Sequence, residues 1–213
     1  MKTVYLIRHG ESEANASPVF QGNDSPLTPK GQDQAKQIAE RVSHLNFETL
    51  IASPLKRAKQ TAGAISKKTE KEIKYSELFV ERKKPTSIHG KSYADEAANI
   101  AWREWEKSVY TPQMKVADGE NYDELTKRSK DALEFLENRE EESILVVTHG
   151  YFLRSMVLQV ITEKNPTPEI AKTFHKNSRT GNTGLTILKY EDGFEEEARW
   201  RLYVYNDQAH LAE

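Results

Sequence analysis

Two apolar runs of the chain end in closely similar polar sequences. Residues 4–7 lead into Arg8-His9-Gly10, and residues 144–147 lead into Thr148-His149-Gly150. Short apolar runs bounded by polar residues and glycine are typical of buried strands. Residues 47–52 and 73–80 predict two more strands, the second weaker. Residues 184–190 and 198–205 predict a terminal hairpin through Glu191-Asp192-Gly193, since Asp-Gly favours a tight turn.

Apolar residues at helical spacing predict amphipathic helices between these strands. Thr28-Pro29 begins the first, because Thr is a good N-cap and Pro suits the first helical position. Ser53-Pro54 is interpreted as a second capped start. Further helices are predicted over 95–110, 121–138 and about 151–161. Alternating strands and helices predict an α/β sandwich with a mostly parallel sheet, to which the hairpin adds an antiparallel edge.

The length of 213 residues fits one domain, 1–213, and the looser pattern over about 85–119 predicts an inserted lobe or lid. A net charge of −2, with 30% charged residues, argues against nucleic acid or an anionic membrane as partner. The absence of cysteine excludes disulfides and thiol catalysis. No signal peptide or membrane-spanning run is recognised, so a cytoplasmic protein is expected.

The polar residues at the strand ends suggest phosphate chemistry. Arg8 and Arg57 can hold one phosphate through charge-assisted hydrogen bonds. A neutral imidazole such as that of His9 is a competent nucleophile. Glu81 can protonate a leaving alkoxide and then activate water, and His149 ends a second strand at the same kind of edge.

Each of these residues also has an ordinary structural interpretation. His149 could order a buried loop, Arg57 could lie on an exposed helix face, and the charged run 81–84 could be a solvated loop. Asn15 and Gln21 could make only turn hydrogen bonds. The hypothesis of a shared site therefore depends on the joint placement of these residues after apolar strands.

Several motifs together make the chain resemble the histidine phosphatase superfamily, the phosphoglycerate-mutase-like proteins. They run in the family's order from Tyr5 to about Leu188. The matching segments are Arg8-His9-Gly10-Glu11-Ser12 with Asn15, Gln21-Gly22 with Leu27-Thr28 and Gly31, Ser53 to Thr61, Gly119-Glu120, Thr148-His149-Gly150 and Asn182-Thr183.

The resemblance implies a three-layer αβα fold and assigns roles to residues. His9 would be the phosphorylated nucleophile, and Arg8, Arg57 and His149 would form the phosphate pocket. Glu81 would be the proton donor, with nearby Glu77 as the alternative. Substrate contacts would come from Ser12, Asn15, Gln21, Gly22, Arg82, Gly150, Tyr151 and Asn182. The resemblance implies no metal and no cofactor; the expected partners are a small phosphorylated substrate and inorganic phosphate, and a homodimer is left open.

Within the family, the sequence favours a phosphatase over a mutase. Glu81-Arg82 is similar to the mutase sequence, but Lys83-Lys84-Pro85 follows in place of His-Tyr-Gly. The paired arginines and Ser-Phe of the mutase insertion are not visible between Pro85 and Gly119. Cations near the start of the insertion suggest a polar or additionally charged phosphomonoester. Phosphoglycerate mutase and a non-catalytic phosphate-binding regulatory module remain alternatives; a metal hydrolase is disfavoured because no His-Glu-x-x-His cluster occurs.

Overall fold

A six-stranded sheet forms the centre of the protein. The computed structural model describes residues 1–13, 19–20, 24–193 and 196–211. The strands follow the spatial order β3-β2-β4-β1-β5-β6. Their bounds are Lys2–Arg8 (β1), Thr49–Ala52 (β2), Ile73–Tyr75 (β3), Ser143–Thr148 (β4), Leu185–Gly193 (β5) and Glu196–Asp207 (β6).

The predicted parallel character of the sheet is confirmed. β1 pairs in parallel with β4, β4 with β2, and β2 with β3, whereas β5 runs antiparallel to both of its neighbours. The hairpin of β5 and β6 is also confirmed, but Asp192 and Gly193 lie within β5. Pairing continues to Gly193 and Glu196, so the Asp-Gly signal falls within the paired strand.

Six α-helices lie among the described residues. Their bounds are Pro29–Val42 (α1), Lys56–Thr69 (α2), Glu96–Ser108 (α3), Tyr122–Glu137 (α4), Gly150–Ile161 (α5) and Pro168–Asn177 (α6). α6 was not predicted, although it begins as α1 does: Thr167 accepts a hydrogen bond from the Ile170 amide, and Pro168 occupies the first turn. None of the described helices is both long and apolar enough to cross a membrane.

The sheet separates two apolar clusters, which makes the fold a three-layer sandwich. Leu6 and Val146 belong to the cluster with α4 and α5. Ile7 and Val147 belong to the cluster with α1 and α2. Successive strand residues point to opposite faces, so both layers of helices cover buried strands, as continuous apolar runs require.

Two elements of the structure differ in detail from those predicted from the sequence. The Ser53 hydroxyl does not cap α2: the helix begins at Lys56 after Leu55, without a side-chain cap. The strand predicted over 73–80 ends at Tyr75, because the Ser76 side chain accepts the Leu78 amide and a short 3₁₀ turn follows. This turn leads the chain back over the carboxyl end of the sheet.

The segment predicted as an inserted lobe has a small core of its own. α3 begins at the Asp95 cap, and Ala98 packs with Ile88 and Phe20 in a cluster separate from those of the sheet. The Arg82 guanidinium donates to the Trp105 and Glu120 carbonyls and ties the helix to the main body. A lid movement of residues 85–119 stays a prediction.

Gly31 allows the closest backbone approach near the first strand end. A Cβ atom at this position would lie 1.9 Å from the Glu11 carbonyl oxygen, whereas Gly63 in α2 has open space around it. We expect Gly31→Ala to destabilise the protein by about 1–3 kcal/mol through forced backbone shifts. The matched Gly63→Ala change should stabilise it by about 0.4–1 kcal/mol. Urea unfolding midpoints measure both; shifts of the same sign would contradict the placement of Gly31.

Candidate active site

Strand register brings the two histidines together. Arg8 of β1 pairs with Thr148 of β4, and the His9 amide donates to the Thr148 carbonyl over 3.0 Å. His9 and His149 therefore leave adjacent parallel strands at the same level. Both are buried, and their ring centroids are 5.0 Å apart.

The His9 ring is fixed in one tautomer. Its Nδ1 lies 2.7 Å from the Gly10 carbonyl oxygen, which can only accept, so Nδ1 carries the proton. Its Nε2 accepts from Arg57 Nε over 3.1 Å. Burial, and then the charges of Arg57 and Arg8, hold the pKa of His9 well below its usual value. His9 is thus a neutral imidazole with its lone pair on Nε2.

Ser53 orients the second histidine. Its hydroxyl lies 2.7 Å from His149 Nε2 and accepts the Leu55 amide at 3.3 Å. The hydroxyl keeps its proton and one lone pair for the contact with Nε2, so it can hold the ring in either neutral tautomer. Burial, followed by the charge of Arg57, holds the pKa of His149 well below its usual value.

Three buried nitrogens at the strand ends have no hydrogen-bond partner among the described residues: Arg8 Nε, Arg57 Nη1 and His149 Nδ1. Burying polar groups unpaired is costly, so a cluster of such groups indicates a binding site. The two arginine nitrogens carry protons, so an oxyanion is the complementary ligand. Gly150 leaves room beside them, since a Cβ there would lie 3.1 Å from Arg8 Nε.

Glu81 is held by the start of α5. Its carboxylate accepts the Tyr151 amide at 3.2 Å and the Phe152 amide at 3.0 Å. These contacts satisfy two of the amides that a helix start leaves unpaired and fix the carboxyl group at the edge of the site.

Electrostatics favour Glu81 over Glu77 as the acidic group of the site. Both residues line the cleft beside Arg57. Burial lowers the pKa of Arg8 and of Arg57, and in both cases Glu81 is the carboxylate that opposes the shift. Glu81 is therefore the carboxylate of this pair whose charge acts on both guanidinium groups.

A buried ion pair supports the segment that carries Glu81. Arg128 Nε and Nη2 each lie 2.7 Å from the Glu120 carboxylate. Arg128 Nη1 also donates to the Leu78 and Val80 carbonyls, both at 2.9 Å. The sequence motif contained Glu120, but nothing in the sequence indicated its bond to Arg128.

Two predicted substrate-binding residues are engaged within the protein. Arg82 was expected to contact substrate, but its side chain is 1% exposed beside Glu106 and it holds the lobe through carbonyls, as described above. The Tyr151 hydroxyl bonds with Tyr110 at 3.1 Å and with His175 Nδ1 at 2.9 Å. The side chains of Arg82 and Tyr151 therefore support the cleft wall, and a contact of either residue with substrate stays a prediction.

The remaining residues predicted to contact substrate lie in different surroundings. Asn182 Nδ2 donates to the His9 carbonyl at 3.0 Å, so it positions His9. Ser12 is fully buried and bridges to Leu27. Asn15, Gln21 and Gly22 lie outside the described residues. A further positioning residue is Thr61, whose hydroxyl accepts the Gly10 amide at 3.1 Å and donates to the Arg57 carbonyl.

A cleft opens from Arg57 and Glu81 toward the lobe. Its cavity volume is about 170 Å³, comparable with the roughly 150 Å³ that holds benzene in an engineered protein core, so it suits a small organic group. Its lining consists of Leu55, Arg57, Glu77, Val80, Glu81, Arg82, Lys83, Lys84, Thr86, His89 and Asp118. Within the described ranges, no group of three His, Asp or Glu side chains has a geometry that could hold a metal ion.

A neutral histidine lies at the carboxyl edge of an αβα sheet beside two buried guanidinium groups, each with one nitrogen that has no partner among the described residues. This arrangement defines an anion site of the phosphoryl-transfer type. The chain belongs to the histidine phosphatase superfamily (branch 1), whose family model matches residues 4–206. It is 31% identical to a protein of Enterobacter sp. (strain 638) named "Probable phosphoglycerate mutase GpmB", over 99% of this chain and 95% of that protein.

Solved structures give the same picture of the fold. The chain is similar to an H9A mutant of phosphoserine phosphatase from Entamoeba histolytica in complex with phosphoserine, with 26% identity, complete coverage of both chains (100% each) and a TM-score of 0.76. It also shares the fold of the mycobacterial glucosyl-3-phosphoglycerate phosphatase, with 22% identity, 97% and 99% coverage and a TM-score of 0.73. The chain thus has both phosphatase and phosphoglycerate-mutase-like relatives.

The unpaired nitrogens predict that inorganic phosphate binds the free protein. At 100 times its Kd, phosphate should stabilise the fold by about 2.7 kcal/mol, which raises Tm by roughly 5–10 °C for a chain of this size. Arg57→Gln should remove most of this shift, whereas Arg103→Gln on the exposed face of α3 should keep it. Thermal melts with and without phosphate measure the effect; equal shifts in the two variants would contradict the assignment of the site.

Proposed function

We propose that the protein is a phosphatase that hydrolyses a small phosphomonoester through a phosphohistidine on His9, without a metal. The observation that carries this proposal is the neutral His9 ring, with its lone pair on Nε2, beside three unpaired buried nitrogens. A nucleophile and an oxyanion pocket at one point are what phosphoryl transfer requires.

In the first step, His9 Nε2 attacks phosphorus as the bond to the leaving oxygen breaks. Arg57 Nε gives up its hydrogen bond to Nε2 and donates to a phosphate oxygen instead. Arg8 Nε and Arg57 Nη1, with His149 Nδ1 in the tautomer that is protonated there, neutralise charge on the equatorial oxygens. Protonated Glu81 transfers its proton to the leaving alkoxide, which departs as the alcohol.

In the second step, the Glu81 carboxylate takes a proton from water, which attacks phosphorus and breaks the N–P bond. Inorganic phosphate leaves, and His9 returns to its neutral form. Glu81 thus alternates between acid and base. We expect this cycle in the cytoplasm; a homodimer is compatible with it, because all the groups named belong to one chain.

Phosphoglycerate mutase is the second candidate, because the relative from Enterobacter carries that name. A mutase keeps the phosphohistidine and returns its phosphoryl group to a phosphoglycerate. Incubation of 3-phosphoglycerate with bisphosphoglycerate as primer separates the two: a phosphatase releases inorganic phosphate, and a mutase forms 2-phosphoglycerate. No turnover across a broad phosphoester panel would favour a regulatory module.

The phosphohistidine predicts a covalent intermediate at one residue. A ³²P-labelled substrate should leave a label that is acid-labile and stable to base, and turnover should survive EDTA. His9→Ala should abolish both the label and the activity, while His44→Ala, on the surface beside Glu40, should leave both unchanged. Quench-flow labelling measures this. A base-labile label, or one that persists in His9→Ala, would contradict the mechanism.

Proton donation by Glu81 predicts a dependence on the leaving group. Glu81→Gln should lower kcat/KM for an alkyl phosphate by roughly 10²–10⁴-fold and much less for p-nitrophenyl phosphate, whose leaving group needs no proton. Glu77→Gln, from the same cleft, should lose less than Glu81→Gln on the alkyl ester. Steady-state kinetics with both substrates measure this; a larger loss in Glu77→Gln would transfer the role to that residue.

A further inference from the structure

Another cavity lies at the opposite end of α5 from the candidate active site. It is bounded by α4, the end of α5 and the strands β5 and β6, and its volume is about 250 Å³. Gln159 lines this cavity and lies nine positions after Gly150, the first residue of α5. At 1.5 Å per residue, this corresponds to about 14 Å along the helix axis. The cavity is therefore separate from the cleft of Arg57 and Glu81.

Gln159 brings an unused hydrogen-bond acceptor to this cavity. The residue is 1% exposed, and its Oε1 has no partner among the described residues. Its Nε2 donates to the Thr126 carbonyl at 3.1 Å and to the Ser129 hydroxyl at 3.0 Å. The Ser129 hydroxyl donates in turn to the Thr126 carbonyl, so its proton is not available to Oε1. Because a carbonyl only accepts, these bonds also fix which end of the Gln159 amide is the oxygen.

Trp200 brings an unused donor to the same cavity. Its indole Nε1 carries a proton and also has no partner among the residues that the structure describes, and the residue is 7% exposed. Trp200 lies opposite Tyr190 in the β5–β6 pair, with ring centroids 5.3 Å apart. Together with Leu133 and Val160, these rings give the cavity an apolar, partly aromatic wall. A buried indole usually finds an acceptor, so a ligand that supplies one is complementary to this wall.

The charged residues of the lining are paired with one another. Lys164 Nζ lies 3.5 Å from a Glu137 carboxylate oxygen, and Arg199 Nη1 lies 3.2 Å from a Glu163 carboxylate oxygen. The lining thus holds two cations and two anions and has no net charge. A charged ligand would have to compete with one of these pairs, whereas a neutral ligand leaves both intact. The lining therefore favours a neutral molecule.

The volume of the cavity sets the size of the ligand. A cavity of roughly 150 Å³ holds benzene in an engineered protein core, so about 250 Å³ accommodates a six-membered ring with one small polar substituent. A carboxamide donates through its nitrogen and accepts through its oxygen. It can therefore satisfy two groups that lie on different elements, Gln159 on α5 and Trp200 on β6.

We propose that this cavity is a second ligand site, which binds a neutral aromatic or heteroaromatic carboxamide. The amide nitrogen of the ligand donates to Gln159 Oε1, its oxygen accepts from Trp200 Nε1, and its ring packs against the aromatic wall. The site does not depend on the proposed phosphatase function, because it shares no residue with the phosphate pocket.

Binding of benzamide to the full chain tests the proposal without any turnover. Each of the three tryptophans gives one indole N–H signal in ¹H–¹⁵N NMR, and Trp200→Phe identifies the signal of Trp200. Benzamide should shift this signal downfield in a saturable manner, because an acceptor reaches the N–H, and should leave the signals of Trp102 and Trp105 in place. For a ligand of this size, a Kd on the order of 1 mM is expected. A Trp200 signal that does not move at about 10 mM benzamide would overturn the proposal.

Two analogues of benzamide test the donor and the charge of the ligand. Acetophenone has a methyl group in place of the amide nitrogen, and benzoate has a charged oxygen there. Both lack the donor for Gln159 Oε1, so each should bind at least about threefold more weakly than benzamide, as expected for the loss of one hydrogen bond. Equal or tighter binding of acetophenone would remove the role of Gln159. Tighter binding of benzoate would mean that the cations of the lining bind the ligand, and either result would overturn the proposal.

Gln159→Leu removes the acceptor and leaves the Trp200 signal as the readout. This variant should lose the preference for benzamide over acetophenone, whereas Gln37→Leu, on the exposed face of α1, should keep it. A preference that persists in Gln159→Leu would contradict the assignment. Thermal melting shows whether Gln159→Leu is folded; if it is not, the order of the three ligands on the wild-type protein decides.

Discussion

The hydrogen bond from Arg57 Nε to His9 Nε2 is the interaction on which the site depends. It directs a permanent positive charge at the atom proposed to attack phosphorus, and with the Gly10 carbonyl it fixes the tautomer. A cation so close to an imidazole disfavours its protonation, so the ring stays neutral. The same guanidinium keeps Nη1 unpaired for an incoming oxyanion.

The rest of the fold maintains this geometry. Parallel register places His9 and His149 side by side, and Thr61 links the Gly10 loop to the turn that carries Arg57. The cations around the cleft have two different environments. Arg128 and Arg82 are satisfied by carbonyls and carboxylates and hold the wall of the cleft, whereas Lys84 makes no such bond to the residues that the structure describes.

Much of the fold and the central site could be predicted from the sequence, because apolar runs and helical spacing are local signals and the motif residues follow strand ends. Arg8, His9, Arg57 and His149 were expected together and lie together, although their chemical roles remain proposals. The partners of Arg82 and Tyr151 could not be predicted, since Trp105, Glu120 and His175 are distant in sequence and a side chain's orientation has no local signature. Ser53 was interpreted as a helix cap for the same reason: its bond to His149 spans 96 positions of the chain. α6 was missed despite its Thr-Pro start at Thr167 and Pro168.

The protonation state of His9 in the free protein tests the account most directly. With ¹⁵N-labelled histidine, two-dimensional NMR distinguishes an imidazolium from each neutral tautomer, and His9→Ala identifies the resonances. Because burial and Arg57 hold the pKa of His9 well below its usual value, the ring should remain neutral, with its proton on Nδ1, as the pH falls from 7 through the ordinary histidine pKa of about 6.5. A ring that becomes charged near that pH, or that carries its proton on Nε2, would contradict the account.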